Sequence, residues 1–187
     1  MKTIELKLYE FSELSEDAKQ NALDRHNEDF YFYHSDEYLD TIKTACNHFG
    51  YEFSNYRIDW HNANVSYWKI TGMEDIQDMR GVRLFKYLHN NEYLSYFCKY
   101  DKKIKDLLSG FCPFTGVCHD EDFLDTFRDF IKKPDNRTLK ELVNEAIQDV
   151  LQCAEKDIEY QLSEEGYAEY CEANERYFDE YGTERYL

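Results

Sequence analysis

Residues 137–162 read RTLKELVNEAIQDVLQCAEKDIEYQL, and this stretch decides the fold. Leu139, Leu142, Val143, Ala146, Ile147, Val150, Leu151, Ala154, Ile158 and Leu162 recur three and four residues apart. That is the spacing of one helical face, held over about seven turns. Thr138 followed by Glu141 is a capping-box pair, so the start is marked as well. At ~1.5 Å per residue the helix spans roughly 40 Å, enough to cross a small domain. The rest of the chain is expected to pack on this rod.

Downstream, residues 163–174 (SEEGYAEYCEAN) continue as helix, kinked or broken near Gly166, with Tyr167, Tyr170 and Cys171 on a shared face. Residues 176–187 alternate around Gly182 and read as a strand or small hairpin. Upstream, residues 120–133 form a helix that starts on acids, turns Phe123, Leu124, Phe127 and Phe130 inward, and stops at Pro134. Residues 110–119 hold the densest turn chemistry. Two short helices are expected over 81–89, with Val82, Phe85 and Leu88 inward, and over 101–109. The aromatic run 93–100 between them fits helix or loop. Residues 51–60 and 65–70 alternate about the turn-like His61-Asn62-Ala63-Asn64, an antiparallel hairpin with Tyr56, Ile58 and Trp60 in phase. A helix begins near Ser35 and ends at Gly50, with Cys46 on its inner face. Another is capped by Ser15 and carries Ala18, Ala22, Leu23 and His26 at helical spacing. Residues 3–11 alternate, with Ile4, Leu6 and Leu8 on one side, as a half-buried strand.

These readings give an α+β fold. A small antiparallel sheet, made of the N-terminal strand, the central hairpin and the C-terminal strand, is packed by several helices including one long C-terminal helix. The 187 residues fit one domain, 1–187, with 72–118 as a candidate variable insertion. Hydrophobic content is a modest 42 %, but 17 % of residues are aromatic, and large rings fill a core with few aliphatics. The first residues lack the apolar core of a signal peptide, and no apolar run approaches the ~20 residues of a membrane span. The six cysteines are scattered, as expected for reduced thiols in a cytoplasmic protein.

Two blocks resemble a known family. Residues 9–22, Tyr9-Glu-Phe-Ser-Glu-Leu-Ser-Glu-Asp-Ala-Lys-Gln-Asn-Ala22, match a YxFxELSExAKxxA opening. A closing block follows in order: Phe114-Thr-Gly116, Asp120-Glu-Asp-Phe-Leu124, Pro134, Thr138-Leu139, Glu159-Tyr-Gln161 and Ala173-Asn-Glu-Arg-Tyr-Phe178. Both resemble a broad family of small acidic phage and prophage proteins, whose members often carry the label antitoxin of a toxin–antitoxin stability system. Residues 51–109 have no counterpart in that pattern, so a member-specific function is expected there. The resemblance implies a phage-associated setting, action in the cytoplasm of a bacterial host cell, and no enzymatic activity.

Candidate chemistry is sparse. Cys112, Cys118 and His119 form a C-x₅-C-H cluster that a fourth ligand would turn into a tetrahedral zinc site. The spacing is wider than the usual C-x₂₋₄-C, and packed thiols on a Pro/Gly turn explain it more simply. Asp120-Glu121-Asp122 reads as a helix start before it reads as a cation site. Nucleotide-loop, zincin and EF-hand patterns are absent, and no cofactor is expected.

The charge is more informative. The net charge is −17. From Glu141 onward, 14 acids face three bases, Lys156, Arg176 and Arg185, which accounts for −11. Direct binding to phosphate backbones is disfavoured, and a basic partner is the natural complement. The acids interleave with tyrosines, so carboxylate and ring can imitate phosphate and base. The leading expectation is a non-enzymatic inhibitor of a basic, nucleic-acid-handling host defence protein such as a nuclease complex, of the anti-CRISPR or antirestriction type. Its partner-binding residues are Glu155, Glu159, Glu164, Glu169, Tyr170 and Glu172. The alternatives are an antitoxin that neutralises a co-encoded toxin, and a zinc-dependent enzyme built on Cys112, Cys118 and His119.

Overall fold

The computed structural model describes residues 6–59, 64–90 and 112–186. The expected helix over 101–109, the aromatic run 93–100, and the inward placements of Ile4 and Trp60 lie outside the described residues. In chain order the helices are α1 (Glu16–Glu28), α2 (Ser35–His48), α3 (Gly81–Asn90), α4 (His119–Lys132), α5 (Leu139–Gln161) and α6 (Glu164–Ala173). The strands are β1 (Tyr51–Asp59), β2 (Asn64–Gly72), β3 (Tyr177–Phe178) and β4 (Glu184–Arg185). The fold is α+β with small antiparallel sheets and a long helix in the C-terminal third. The strands divide between two sheets: β1 pairs with β2, and β3 with β4. The chain separates into two compact units, Tyr33–Glu155 and the pair of segments Met1–Phe32 and Lys156–Leu187.

In the larger unit, the periodicity of α5 is obeyed residue by residue. Leu139, Leu142, Val143, Ala146, Ile147, Val150, Leu151 and Ala154 are all buried. The capping box is made in both directions. The Thr138 amide donates to Glu141 at 2.7 Å, and the Glu141 amide donates to the Thr138 hydroxyl at 3.2 Å. α2 packs on β1 and on α4. There Phe49 stacks on Phe127 at 4.3 Å, and Phe127 on Phe123 at 5.8 Å. Such rings carry the burial that the aliphatics are too few to supply. Burial pushes the Cys46 thiol up to about 12, so this cysteine is a packed hydrophobe.

Two details of this unit differ from expectation. Tyr51 and Phe53 are buried, but the β1–β2 register shifts between Ser54 and Arg57, where Asn55 adopts φ +48°. An inserted residue flips the strand face, so strict alternation does not run on to Ile58. In α3 the buried residues are Leu84 and Leu88, while Val82 is 60 % exposed. Apolar residues at 82, 84, 85 and 88 admit two helical faces. The Arg80–Thr138 bridge just ahead of the helix accompanies the one that is used.

The smaller unit has its own core: Phe11, Leu14, Ala18, Ala22, Tyr167, Cys171 and Phe178. Ser15 caps α1 by accepting from the Ala18 amide. The N-terminal segment is no regular strand among the described residues. Tyr9 and Phe178 exchange two backbone hydrogen bonds of 2.9 Å, and this is an isolated bridge. Leu6, expected inward, is 57 % exposed. β3 is only two residues long, so it offers little to pair with. Phe11–Glu13 then tightens into a 3₁₀ turn capped by the Glu13 carboxylate on the Glu10 amide. The break after α5 falls at Leu162 and Ser163, ahead of Gly166. The Ser163 hydroxyl caps α6 by accepting from the Gly166 amide at 3.1 Å. Gly166 serves close approach instead, since a Cβ there would lie 2.1 Å from the Tyr160 carbonyl oxygen.

Candidate functional site

The acids of the C-terminal third fall into two groups. Those at the start of α5 are engaged within the larger unit. Glu141 accepts from Thr138, Glu145 pairs with Arg137 at 2.6 Å, and Asp149 accepts from the Thr126 hydroxyl at 2.5 Å. Their carboxylates therefore serve the fold. Glu155, Glu159, Glu164, Glu165, Glu172 and Glu175 are exposed and make no ion pair among the described residues. Of these, Glu155 belongs to the larger unit and the other five to the smaller one.

Two of the three bases in the smaller unit's C-terminal stretch are paired with acids. Arg176 pairs with Glu184 at 2.7 Å and donates to the Tyr170 hydroxyl at 2.9 Å. Its guanidinium lies 5.5 Å from the Tyr170 ring and 5.9 Å from the Tyr186 ring. Arg185 donates twice to Asp179, which also accepts from the Tyr181 and Thr183 amides and so ties the β3–β4 turn. Arg25 of α1 donates to the Thr183 hydroxyl at 2.7 Å. Across the whole unit, 18 Asp and Glu stand against 7 Lys and Arg, a balance of −11 on 64 residues. The larger unit, nearly twice as long, carries the remaining −6. The charge is thus concentrated, and the outward field of the smaller unit is negative.

Tyrosines stand among these acids. Tyr170 and Tyr160 are about two-fifths exposed. The Tyr160 hydroxyl bonds to Glu169, and this bond, with the fields of Glu169 and Glu165, raises its pKa. Tyr181 and Tyr186 are largely exposed. Of the residues singled out from sequence, Glu159, Glu164, Glu169, Tyr170 and Glu172 lie exposed in the smaller unit. Sequence reasoning missed the assembly that holds Tyr170. His26 of α1 stacks on Tyr167 at 4.3 Å and on Tyr170 at 5.9 Å, and meets the edge of Phe30. Its Nε2 lies 3.3 Å from the Gln161 carbonyl oxygen. The helical phase of His26 in α1 was the one available signal, because Gln161, Tyr167 and Tyr170 are more than 130 residues away.

Burial lowers the pKa of His26 below its ordinary value, against the opposing pull of the Gln161 carbonyl and of Glu184. The folded unit therefore favours the neutral ring. A depressed pKa contributes stability that is fully present above the unfolded value of about 6.5 and is lost as pH falls through the folded value. NMR titration of the His26 ring is expected to give a midpoint below that of free imidazole, with the unit's thermal midpoint falling over the same range. A midpoint above about 6.5 would mean that Glu184 outweighs burial.

The second cluster lies in the larger unit, where α4 begins. Asp120, fully buried, accepts through Oδ2 from the amides of Phe114, Thr115 and Gly116 at 2.7, 2.9 and 3.4 Å. Through Oδ1 it accepts from the hydroxyls of Thr115 and Thr41. It clamps the preceding loop instead of capping its own helix. Glu121 and Asp125 hold the buried Arg128 at 2.7 Å each. Cys118 Sγ is 4.0 Å from His119 Nδ1. No group of three or more His, Cys, Asp or Glu forms a metal-holding set among the described residues. Among the described residues the geometry thus brings Cys118 and His119 together without completing the ligand set that a zinc centre needs.

Among the described residues no helix is long and apolar enough to cross a membrane. Comparison with protein-family profiles, with curated proteins and with solved structures finds no significant match to this chain.

Proposed function

We propose that the chain is a non-enzymatic inhibitor, encoded by a phage or prophage, whose acidic face occupies the basic surface of a nucleic-acid-handling host defence protein. The carrying observation is the division of charge in the smaller unit. Exposed glutamates on the last turn of α5 and on α6 lack ion-pair partners among the described residues, while Arg176 and Arg185 are held by acids of their own hairpin. A basic groove built for phosphates meets carboxylates there, with the rings of Tyr160 and Tyr170 beside them. Such a surface steers encounter and raises association rates by about 10–10³ over a neutral one.

The sequence resemblance supports the same reading. Its opening block supplies Phe11, Leu14, Ala18 and Ala22, and its closing block supplies Phe178, all in the core of the acidic unit. Both blocks thus contribute core residues to this unit, while residues 114–139 of the closing block belong to the larger one. The inhibition is of the anti-CRISPR or antirestriction type and needs no catalytic group: occupying the groove suffices.

Capture of tagged protein from a bacterial host lysate, at low and at high salt, tests this. The expected result is a basic nucleic-acid-binding protein that is retained at low salt and released at high salt, since exposed charges are screened beyond about 8–10 Å at physiological ionic strength. A partner held equally at both salts would place the interface away from the acidic face.

A further inference from the structure

We infer that the acidic unit recognises arginine in preference to lysine on its basic partner, with the exposed rings of Tyr160 and Tyr186 seating the guanidinium groups. The preference rests on the acidic face being the binding surface, and it names the group that surface takes. The unit already seats one guanidinium of its own. Arg176 lies over the Tyr170 ring at 5.5 Å and over the Tyr186 ring at 5.9 Å. It also donates to the Tyr170 hydroxyl at 2.9 Å and pairs with Glu184 at 2.7 Å. Ring, hydroxyl and carboxylate are met at once because a guanidinium is planar and carries five donors in a fixed fork. An ammonium is a compact point charge. Lys7 of the same unit meets the Tyr9 ring at 4.6 Å and pairs with no acid among the described residues.

Tyr170 is taken, by Arg176 and by the His26 stack at 5.9 Å. Tyr186 is not: Arg176 accounts for one face of its ring, yet 82 % of its surface stays exposed. Glu184 already answers Arg176, so a second guanidinium on the free face of Tyr186 meets no net like charge. Tyr160, on the last turn of α5, is 42 % exposed, and no Lys or Arg among the described residues lies over its ring. Its sequence neighbour Glu159 and the nearby Glu164 are exposed as well. Aromatic face and carboxylate thus stand together there, as they do around Arg176, without an arginine of the chain's own.

An exposed tyrosine is equally a surface on which a nucleobase stacks. The balance of −11 on this unit repels the phosphates that a base brings with it, so charge decides for a cation. Between the two cationic side chains the rings decide. A guanidinium is more weakly hydrated than an ammonium and stacks flat on an aromatic face, so it loses less on leaving water and gains more on the ring. Tyrosine and arginine are also the residues in which the energetic centres of protein interfaces are enriched. The glutamates then supply attraction at a distance, and the tyrosines supply the discrimination on contact.

Oligoarginine and oligolysine peptides of equal length and charge are the probes, titrated against the full chain at low salt by fluorescence anisotropy. The arginine peptide is expected to bind about tenfold tighter. Tyr160→Leu combined with Tyr186→Leu should bring the two affinities together. Tyr160→Phe combined with Tyr186→Phe, which keeps both rings, should retain the preference. Both side chains are exposed, so the core is untouched in either variant. Equal affinities of the unaltered chain for the two peptides would overturn the preference and leave the acidic face standing. A preference that survives the loss of both rings would overturn the two seats. Binding of neither peptide would remove the acidic face itself, and the preference with it. Undiminished binding of both to a variant with Glu159, Glu164, Glu169 and Glu172 reversed to Lys would do the same.

Discussion

Gly182→Ala is expected to unfold the smaller unit while leaving the larger one intact. Gly182 sits in the β3–β4 turn at φ +76°, and a Cβ there would lie 2.0 Å from the Ala18 carbonyl oxygen and 2.9 Å from its carbon. Neither side can yield. Ala18 is buried in α1, and the turn is fixed by the Asp179 hydrogen bonds to Tyr181 and Thr183. The left-handed backbone alone costs an L-residue about 1–2 kcal/mol, and forcing volume into a packed contact adds about 1–3 kcal/mol. Whole domains are stable by only about 5–15 kcal/mol, and a unit of this size lies near the bottom of that range. Gly116→Ala is the matched control, since Gly116 has φ +83° but a Cβ there would meet nothing within 4 Å. Hydrogen exchange of α6 and α5 amides along a urea titration separates the units. The expected result is early exchange of α6 in Gly182→Ala alone. Equal behaviour of the two variants would show that the Ala18 contact relaxes at little cost.

Features written in local periodicity were legible in the sequence. The inner face of α5, the Thr138–Glu141 cap, the Ser15 cap and the four inward residues of α4 depend on neighbours within a turn or two, and each stands as read. Features set by a distant partner were not legible. The register shift near Asn55 flips the strand face without any local signal, as Asn is compatible with either conformation. The N-terminal alternation gave way to a 3₁₀ turn because the strand it would join is two residues long.

The same division holds for the candidate site. Which residue types make an acidic surface was plain from composition. Which of them remain available was not. Glu145 is answered by Arg137, eight residues back, and Asp149 by Thr126 on another helix. Arg176 and Arg185 look like relief of the negative charge when counted along the chain, yet they serve Glu184 and Asp179 in the hairpin. Cys118 and His119, adjacent in sequence, do approach each other, but through a nitrogen that Asp122 also faces.

The central claim is that the acidic face of the smaller unit is the binding surface. Its most direct test is simultaneous reversal of Glu159, Glu164, Glu169 and Glu172 to Lys, with binding measured against the captured partner. Four reversals of two charges each change the unit's balance from −11 to −3. All four side chains are exposed, so the core is untouched. Glu164 lies in the first turn of α6, where losing an acid costs about 0.3–1 kcal/mol, too little to unfold the unit. Like charges facing across an interface cost several kcal/mol, and every 1.4 kcal/mol is tenfold in Kd, so a loss of about a hundredfold or more is expected. A control with reversal of Glu52, Glu74, Asp75 and Asp78, exposed in the larger unit, changes the net charge of the chain by the same amount. The account predicts loss of binding in the first variant, retention in the control, and unchanged helix content in both. Undiminished binding by the first variant, or equal loss in the two, would contradict it.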